Sequence, residues 1–221
     1  MPGLAHKVVD FAIKLSVILF AISFHESAHA WSALQCGDTT ARDQGRISLN
    51  PLRHIDPFGS IILPILLYMT SGMIFGYAKP TPVDLRNTRN PRVANFWVSI
   101  AGPLSNLLLV VFGVIALVIL RRVSPAGTEV RESVVAPLWA VAAAFTVVNF
   151  SLGIFNLLPI PPLDGSWVAA SIFGAPVEGF FRLIAPFGFM ILIALSYTGI
   201  LSVLMNPAFE IFDAILRRLL G

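Results

Sequence analysis

Phe11-Ala-Ile-Lys-Leu-Ser-Val-Ile-Leu-Phe-Ala-Ile-Ser-Phe24 runs directly into His25-Glu26-Ser27-Ala28-His29. The first stretch reads as a membrane span rather than a soluble core helix. The second places three ionisable groups in an otherwise apolar run. On an α-helix two residues four apart leave the same face about one turn from each other. His25 and His29 can therefore grip a single Zn²⁺, with Glu26 beside it to take a proton from water. Ionisable groups at membrane depth are costly and are functional suspects by default. Hydrolytic zinc chemistry inside a lipid-facing helix is the expectation that organises the rest.

Composition agrees. The 221 residues are 56% hydrophobic and 12% charged, about half the charge of an ordinary soluble domain. No polar stretch is long enough for a separate soluble module, so one polytopic domain is expected. The net charge of +3 comes from short loops, which points to membrane topology and away from nucleic-acid binding. Cys36 is the one cysteine, with no internal disulfide partner. Lys7, the apolar run and Ala28-His29-Ala30 imitate a signal peptide, but Asp10 and Lys14 interrupt the apolar region and argue against cleavage. At i,i+4 those two side chains pair or snorkel near the interface.

Working outward, the first span covers about residues 8 to 35 and ends at Gly37-Asp38. Arg46-Ile47-Ser48-Leu49 alternates as a short strand, stopped by Asn50-Pro51. An apolar stretch from 58 to 78 is broken by Gly59, Pro64, Gly72 and Gly76, and the prolines of Lys79-Pro-Thr-Pro-Val-Asp-Leu85 keep it extended. A long helix from about 94 to 120 carries Ala101-Gly102-Pro103-Leu-Ser-Asn106, and a polar loop then continues to Glu132. A helix from about 136 runs to Asn156 and into Leu157-Leu-Pro-Ile-Pro-Pro-Leu-Asp164-Gly165. A last span is expected at 183 to 204, followed by an amphipathic helix from Pro207 to Leu220.

Parity of the crossings bears on residues 58 to 78. The pentad lies late in its helix, Asn106 early in another and Asp164 at the end of a third. They share one depth only if 58 to 78 enters and returns on one side, which its glycines and proline suit; a full crossing is the alternative. The re-entrant path puts the loops 36–57, 79–93 and 160–182 on the catalytic side. They hold eight of the 15 Lys and Arg, so the catalytic side is expected to face the cytosol.

A catalytic zinc needs a third protein ligand. Asp164, after a Pro-rich break in an apolar helix, is the first candidate, although it could instead cap that helix. His54, in Arg53-His54-Ile55-Asp56, is the rival, although a loop histidine is more often only solvated or hydrogen-bonded.

Taken together, His25-Glu26-x-x-His29, Ala101-Gly102-Pro103-x-x-Asn106 and Asn156-x-x-Pro159-x-Pro161-x-Leu163-Asp164-Gly165 resemble the site-2 protease family of intramembrane zinc metalloproteases, in its short prokaryotic form without a PDZ domain. The resemblance covers about residues 15 to 170. It implies one zinc ion held by His25, His29 and Asp164, with Glu26 as general base and Asn156 steadying the oxyanion. Asn106 is a weaker candidate for contacting substrate, since interhelical hydrogen bonding is its commoner use. Many members have a further span before the pentad helix, which is not expected here.

The implied fold is all-α: a transmembrane helix bundle with a small β-strand and re-entrant element between the first and second core helices. It forms one domain over 1–221, with its core at about 8–170 and the last span and C-terminal helix at about 183–220. The implied activity is hydrolysis of peptide bonds within or near membrane spans, in a prokaryotic plasma membrane. Its partners would be the bilayer and single-span proteins such as anti-sigma factors or signal-peptide remnants. A helical substrate must be drawn out as a strand first. Ile47 and Leu49, with Pro80 and Val83, are the expected edges to which it would add. The other readings are a membrane-anchored zinc protease acting on soluble segments, and a zinc transporter or scaffold. The first lacks a polar domain, and the second has no use for Glu26.

Overall fold

A computed structural model describes residues 4–71, 76–123 and 134–221. Helix α1 (Leu4–Gln35) is followed by the single turn α2 (Thr40–Asp43), and a π-helical turn at Pro57–Ile62 leads into α3 (Leu63–Ser71). Then come α4 (Pro91–Val123), α5 (Ala136–Asn156), α6 (Asp164–Phe173), α7 (Ala175–Ile184), α8 (Gly188–Tyr197) and α9 (Ile200–Leu220). Among the described residues, four stretches are long and apolar enough to cross a membrane: Val8–Gln35, Pro91–Val123, Ala136–Asn156 and Ala175–Tyr197. The polar loop expected to reach Glu132 falls at 124–133, outside the described residues.

Helix α4 is the centre post. Its 33 residues measure about 50 Å, longer than a hydrocarbon core. Leu104, Leu108, Val111, Phe112, Ile115 and Ile119 recur at helical spacing on its outer face and are exposed. Gly102, Asn106, Val110, Gly113 and Leu117 are buried on the opposite face. Apolar side chains outward and small or polar ones inward are the pattern of a helix packed in lipid. Helices α1 and α5 pack against that inner face, and α6 reaches α4 as well.

The stretch 58 to 78 leaves and returns. The Tyr77 N–H donates to Gly59 O at 3.1 Å, Lys79 N–H to His54 O at 2.9 Å, and Ser60 Oγ to Tyr77 O at 2.8 Å. Residues 59 and 77 are thus neighbours, so the stretch begins and ends at one place; residues 72–75 lie outside the described residues. Helix α3 leans on α1 through Phe11 and Tyr68, whose ring centroids are 4.8 Å apart.

Three expectations are corrected. No β-strand is present among the described residues: Ile47–Leu49 and Pro80–Val83 are irregular and form no ladder. Side chains have taken the backbone groups a ladder would use. Arg46 holds the carbonyls of Lys79 and Pro80, Ser27 and His54 hold that of Ser48, and Pro80 and Pro82 have no N–H. The last span lies at Ala175–Tyr197, earlier than 183–204. It is interrupted by a 3₁₀ turn at Ala185–Phe187 and closed by Gly199 in the left-handed region. The C-terminal helix begins at Ile200, with Pro207 inside it. Its Phe212 is buried between Val110 and Phe150 and stacks on Phe150 at 4.0 Å.

Candidate metal centre

Both imidazoles of the pentad are buried, and helix α4 holds both from behind. His25 Nδ1 lies 2.6 Å from Asn106 Oδ1, and His29 Nδ1 lies 2.6 Å from Val98 O. Both partners are acceptors, so each Nδ1 carries the proton. The orientation of the Asn106 amide is fixed independently. Its Nδ2 donates to Ala21 O at 3.3 Å and to Asn149 Oδ1 at 2.9 Å, while Asn149 Nδ2 donates to Phe145 O at 2.8 Å. This relay fixes the tautomer and leaves the Nε2 lone pairs pointing forward.

The two Nε2 atoms are 3.0 Å apart. Asp164 Oδ2 completes the triangle at 3.1 Å from His25 Nε2 and 3.4 Å from His29 Nε2. It is buried and receives no hydrogen bond of its own. Two lone pairs and a carboxylate oxygen converging on one point repel one another unless a cation sits among them. Tetrahedral ligands about 2.0–2.1 Å from zinc stand about 3.3 Å apart, which matches these separations. The donor set fits Zn²⁺, and among the described residues it is the one such cluster of His, Cys, Asp and Glu.

The positioning is local and legible. Asp164 is the first residue of α6, and Leu163 occupies the N-cap position. Gly165 lets the chain turn there, because a Cβ would stand 2.3 Å from Leu157 O. Gly102 lies between Val98 and Asn106 at i,i+4 and i,i+8 of α4. A Cβ on it would come within 2.4 Å of His29 Nε2 and 2.6 Å of His25 Nε2. Glu26 points toward the segment that follows the hairpin, where its Oε2 accepts the Thr81 N–H at 2.8 Å.

The remaining candidates fall elsewhere. His54 is 1% exposed, and its Nε2 is on Ser48 O at 2.7 Å. Burial holds its imidazole below the ordinary value and the nearby Arg46 charge acts the same way, so it is neutral; it is not one of the three converging donors. Asn106 is fully buried and each of its polar atoms is in use, leaving nothing for substrate. Asn156 turns one N–H back to Leu152 O at 3.0 Å and keeps the other. Ile47, Leu49, Pro80 and Val83 stand in irregular chain. Asn149 is not among the residues expected from sequence, although an asparagine in mid-helix between Val148 and Phe150 is a signal of its own. The carbonyl of Val98 and the N–H of Thr81 are backbone groups that leave no mark in sequence.

Asn106→Ala removes the acceptor behind His25 and should weaken zinc binding about 10- to 100-fold, as losses behind a metal ligand do. Competition with a chelator reads this directly. Asn106→Asp, which keeps the acceptor, should retain more affinity, and unaltered affinity in the alanine variant would contradict the relay.

Two imidazoles, a carboxylate and an adjacent glutamate, inside helices with apolar outer faces, define a metal-dependent hydrolase embedded in a membrane. The sequence model of peptidase family M50 matches residues 123–195, which include Asp164. "Putative zinc metalloprotease YwhC" of Bacillus subtilis is 36% identical over 214 residues, covering 92% of this chain and 93% of that protein. "Putative zinc metalloprotease Rip2" of Mycolicibacterium smegmatis is 29% identical over 196 residues, covering 87% and 69%. Rip2 of Mycobacterium tuberculosis is 30% identical over 156 residues, covering 70% and 55%. No solved structure matches significantly. The chain belongs to peptidase family M50, the site-2 protease family. It is a zinc metalloprotease and an integral membrane protein.

Proposed function

We propose that this protease hydrolyses peptide bonds within or near the membrane-spanning segments of single-span proteins, in a prokaryotic plasma membrane with its active side toward the cytosol. His25, His29 and Asp164 hold one zinc ion, and Glu26 is the general base. The observation that carries this reading is the place of the donors: His25 and His29 lie inside Val8–Gln35, a stretch apolar enough to span. His29 precedes the end of α1 at Gln35 by six residues, about 9 Å of helix, so the centre is shallow. A polypeptide need fray only at one end of its span to reach it. The sidedness is supported by the eight Lys and Arg in the loops next to the site.

A zinc ion bound by these three donors would supply a nucleophilic water near neutral pH and polarise the scissile carbonyl. Glu26 accepts the proton from the attacking water and returns it to the departing amine. The free N–H of Asn156 donates to the carbonyl oxygen as it becomes negative, a contact whose loss costs about a hundredfold in rate. The relay through Asn106 and Asn149 keeps His25 in one tautomer throughout. The lipid-facing side chains of α4 hold the site in apolar surroundings, where a fixed donor is worth more than in water.

The test is cleavage of a tagged single-span substrate by protein reconstituted in liposomes. Glu26→Gln should retain one zinc per chain while its rate falls on the order of 10² to 10⁴-fold. Equal cutting of the same peptide supplied as a soluble, unanchored segment would count against a membrane substrate.

A further inference from the structure

The segment Lys79-Pro80-Thr81-Pro82-Val83-Asp84 offers few backbone donors, and their use is telling. Pro80 and Pro82 have none. Lys79 N–H goes to His54 O, Asp84 N–H to Asp38 Oδ2 at 2.7 Å, and Thr81 N–H, isolated between prolines, to Glu26 Oε2 at 2.8 Å. Thr81 Oγ1 adds a bond to Glu26 O at 3.0 Å. The strap thus touches the helix at the residue beside the first histidine.

Its two ends are held by buried charges. Arg46 is 5% exposed, and its guanidinium donates to the carbonyls of Arg53, Lys79 and Pro80; among the described residues no carboxylate pairs with it. Asp38 is fully buried. It takes the Asp84 N–H, Asn87 Nδ2 at 3.0 Å, and Thr40 through both its N–H at 3.1 Å and its hydroxyl at 2.5 Å. Burial alone would raise the Asp38 carboxyl, but these bonds outweigh it and hold it below the ordinary range. Burying a cation and an anion separately, each against backbone and not against the other, is expensive. What the arrangement achieves is a fixed path for six residues between them.

We infer that Arg46 and Asp38 are positioning residues, and that the strap they anchor aims the carboxylate of Glu26. One carboxylate oxygen is held by the Thr81 N–H and the other is left for proton transfer. Proline on either side of Thr81 fixes φ at both neighbours, so the donor is placed before substrate arrives. This rests on Glu26 being the base.

The test compares Thr81→Pro, which deletes the N–H between two existing prolines, with Thr81→Val, which keeps it and loses only the hydroxyl. On the tagged single-span substrate, Thr81→Pro should lower kcat about 10- to 100-fold, the worth of a hydrogen bond to a charged group, with KM and zinc content unaltered. Thr81→Val should lose far less, leaving at least about tenfold between the two variants. Arg46→Gln should lower kcat in the same way, Arg46→Lys should recover part of it, and the Arg46→Gln/Thr81→Pro double variant should be no slower than the slower single one. In a Glu26→Gln background, retention of the substrate should be indifferent to Thr81→Pro. Weakened retention, a raised KM or lost zinc would overturn the inference, the first two by making the strap an edge that binds substrate. Where Thr81→Pro does not accumulate, additive losses in Arg46→Gln/Thr81→Val would overturn it instead. A Glu26→Gln chain that still cuts overturns both readings; a dead Glu26→Gln chain beside a normal Thr81→Pro chain overturns the strap alone.

Discussion

Gly102→Ala should cost the protein its zinc and all measurable cleavage. One methyl group would stand 2.4 Å from His29 Nε2 and 2.6 Å from His25 Nε2, where no real Cβ is found. Neither ring can recoil. Each is tied at Nδ1 to the same helix that carries the new methyl, His29 at Val98 and His25 at Asn106. Relief requires either breaking those ties or pushing α1 away from α4, and both pull the Nε2 atoms out of register. The loss should exceed the roughly 10- to 100-fold in affinity that follows removal of an outer partner. Zinc content after dialysis checks it, alongside a thermal melt to show that the helices still assemble. Normal zinc in Gly102→Ala would mean that the imidazoles are not held as rigidly as their bonds imply.

Asp164→Asn is the second large effect. The carboxylate supplies the one negative charge among the three donors, and its buried Oδ2 receives no hydrogen bond to soften its loss. The amide that replaces it is a poorer ligand and can turn an NH₂ toward the metal. Zinc should leave under mild chelator challenge, and cleavage should fall below detection. His54→Ala is the companion measurement, since that ring is engaged with Ser48 O and not with the converging donors. It should retain zinc. The opposite pair of outcomes, retention in Asp164→Asn and loss in His54→Ala, would reassign the third ligand.

Much of this was legible from residue type and spacing. Two histidines at i,i+4 in an apolar run announce a metal site, and an acid after a proline break announces its partner. Three of the four spans were also plain, because long apolar runs have few alternatives. The fourth was misplaced: Pro186 and Gly199 punctuate the helices of the last span, and hydropathy alone does not weigh such breaks. The alternation at Arg46-Ile47-Ser48-Leu49 imitated a strand because Arg46 is buried for a different reason, as a holder of carbonyls. Asn106 was visible as a polar residue in a membrane helix, but sequence does not say which neighbour such a group serves. Val98 and Thr81 act through the main chain, which every residue possesses, so nothing in their side chains could mark them.

The double attachment of the imidazoles to α4 has a mechanical consequence. Sliding α1 along α4 by even one residue would carry His25 and His29 off their acceptors together, so these two helices behave as a single rigid frame during turnover. The helix that begins at Asp164 is tied to the same α4, through Asn95 to Trp167 O and Ser171 Oγ and through Arg92 to Ser171 O, so all three donors share that frame and whatever admits a polypeptide must hinge outside it.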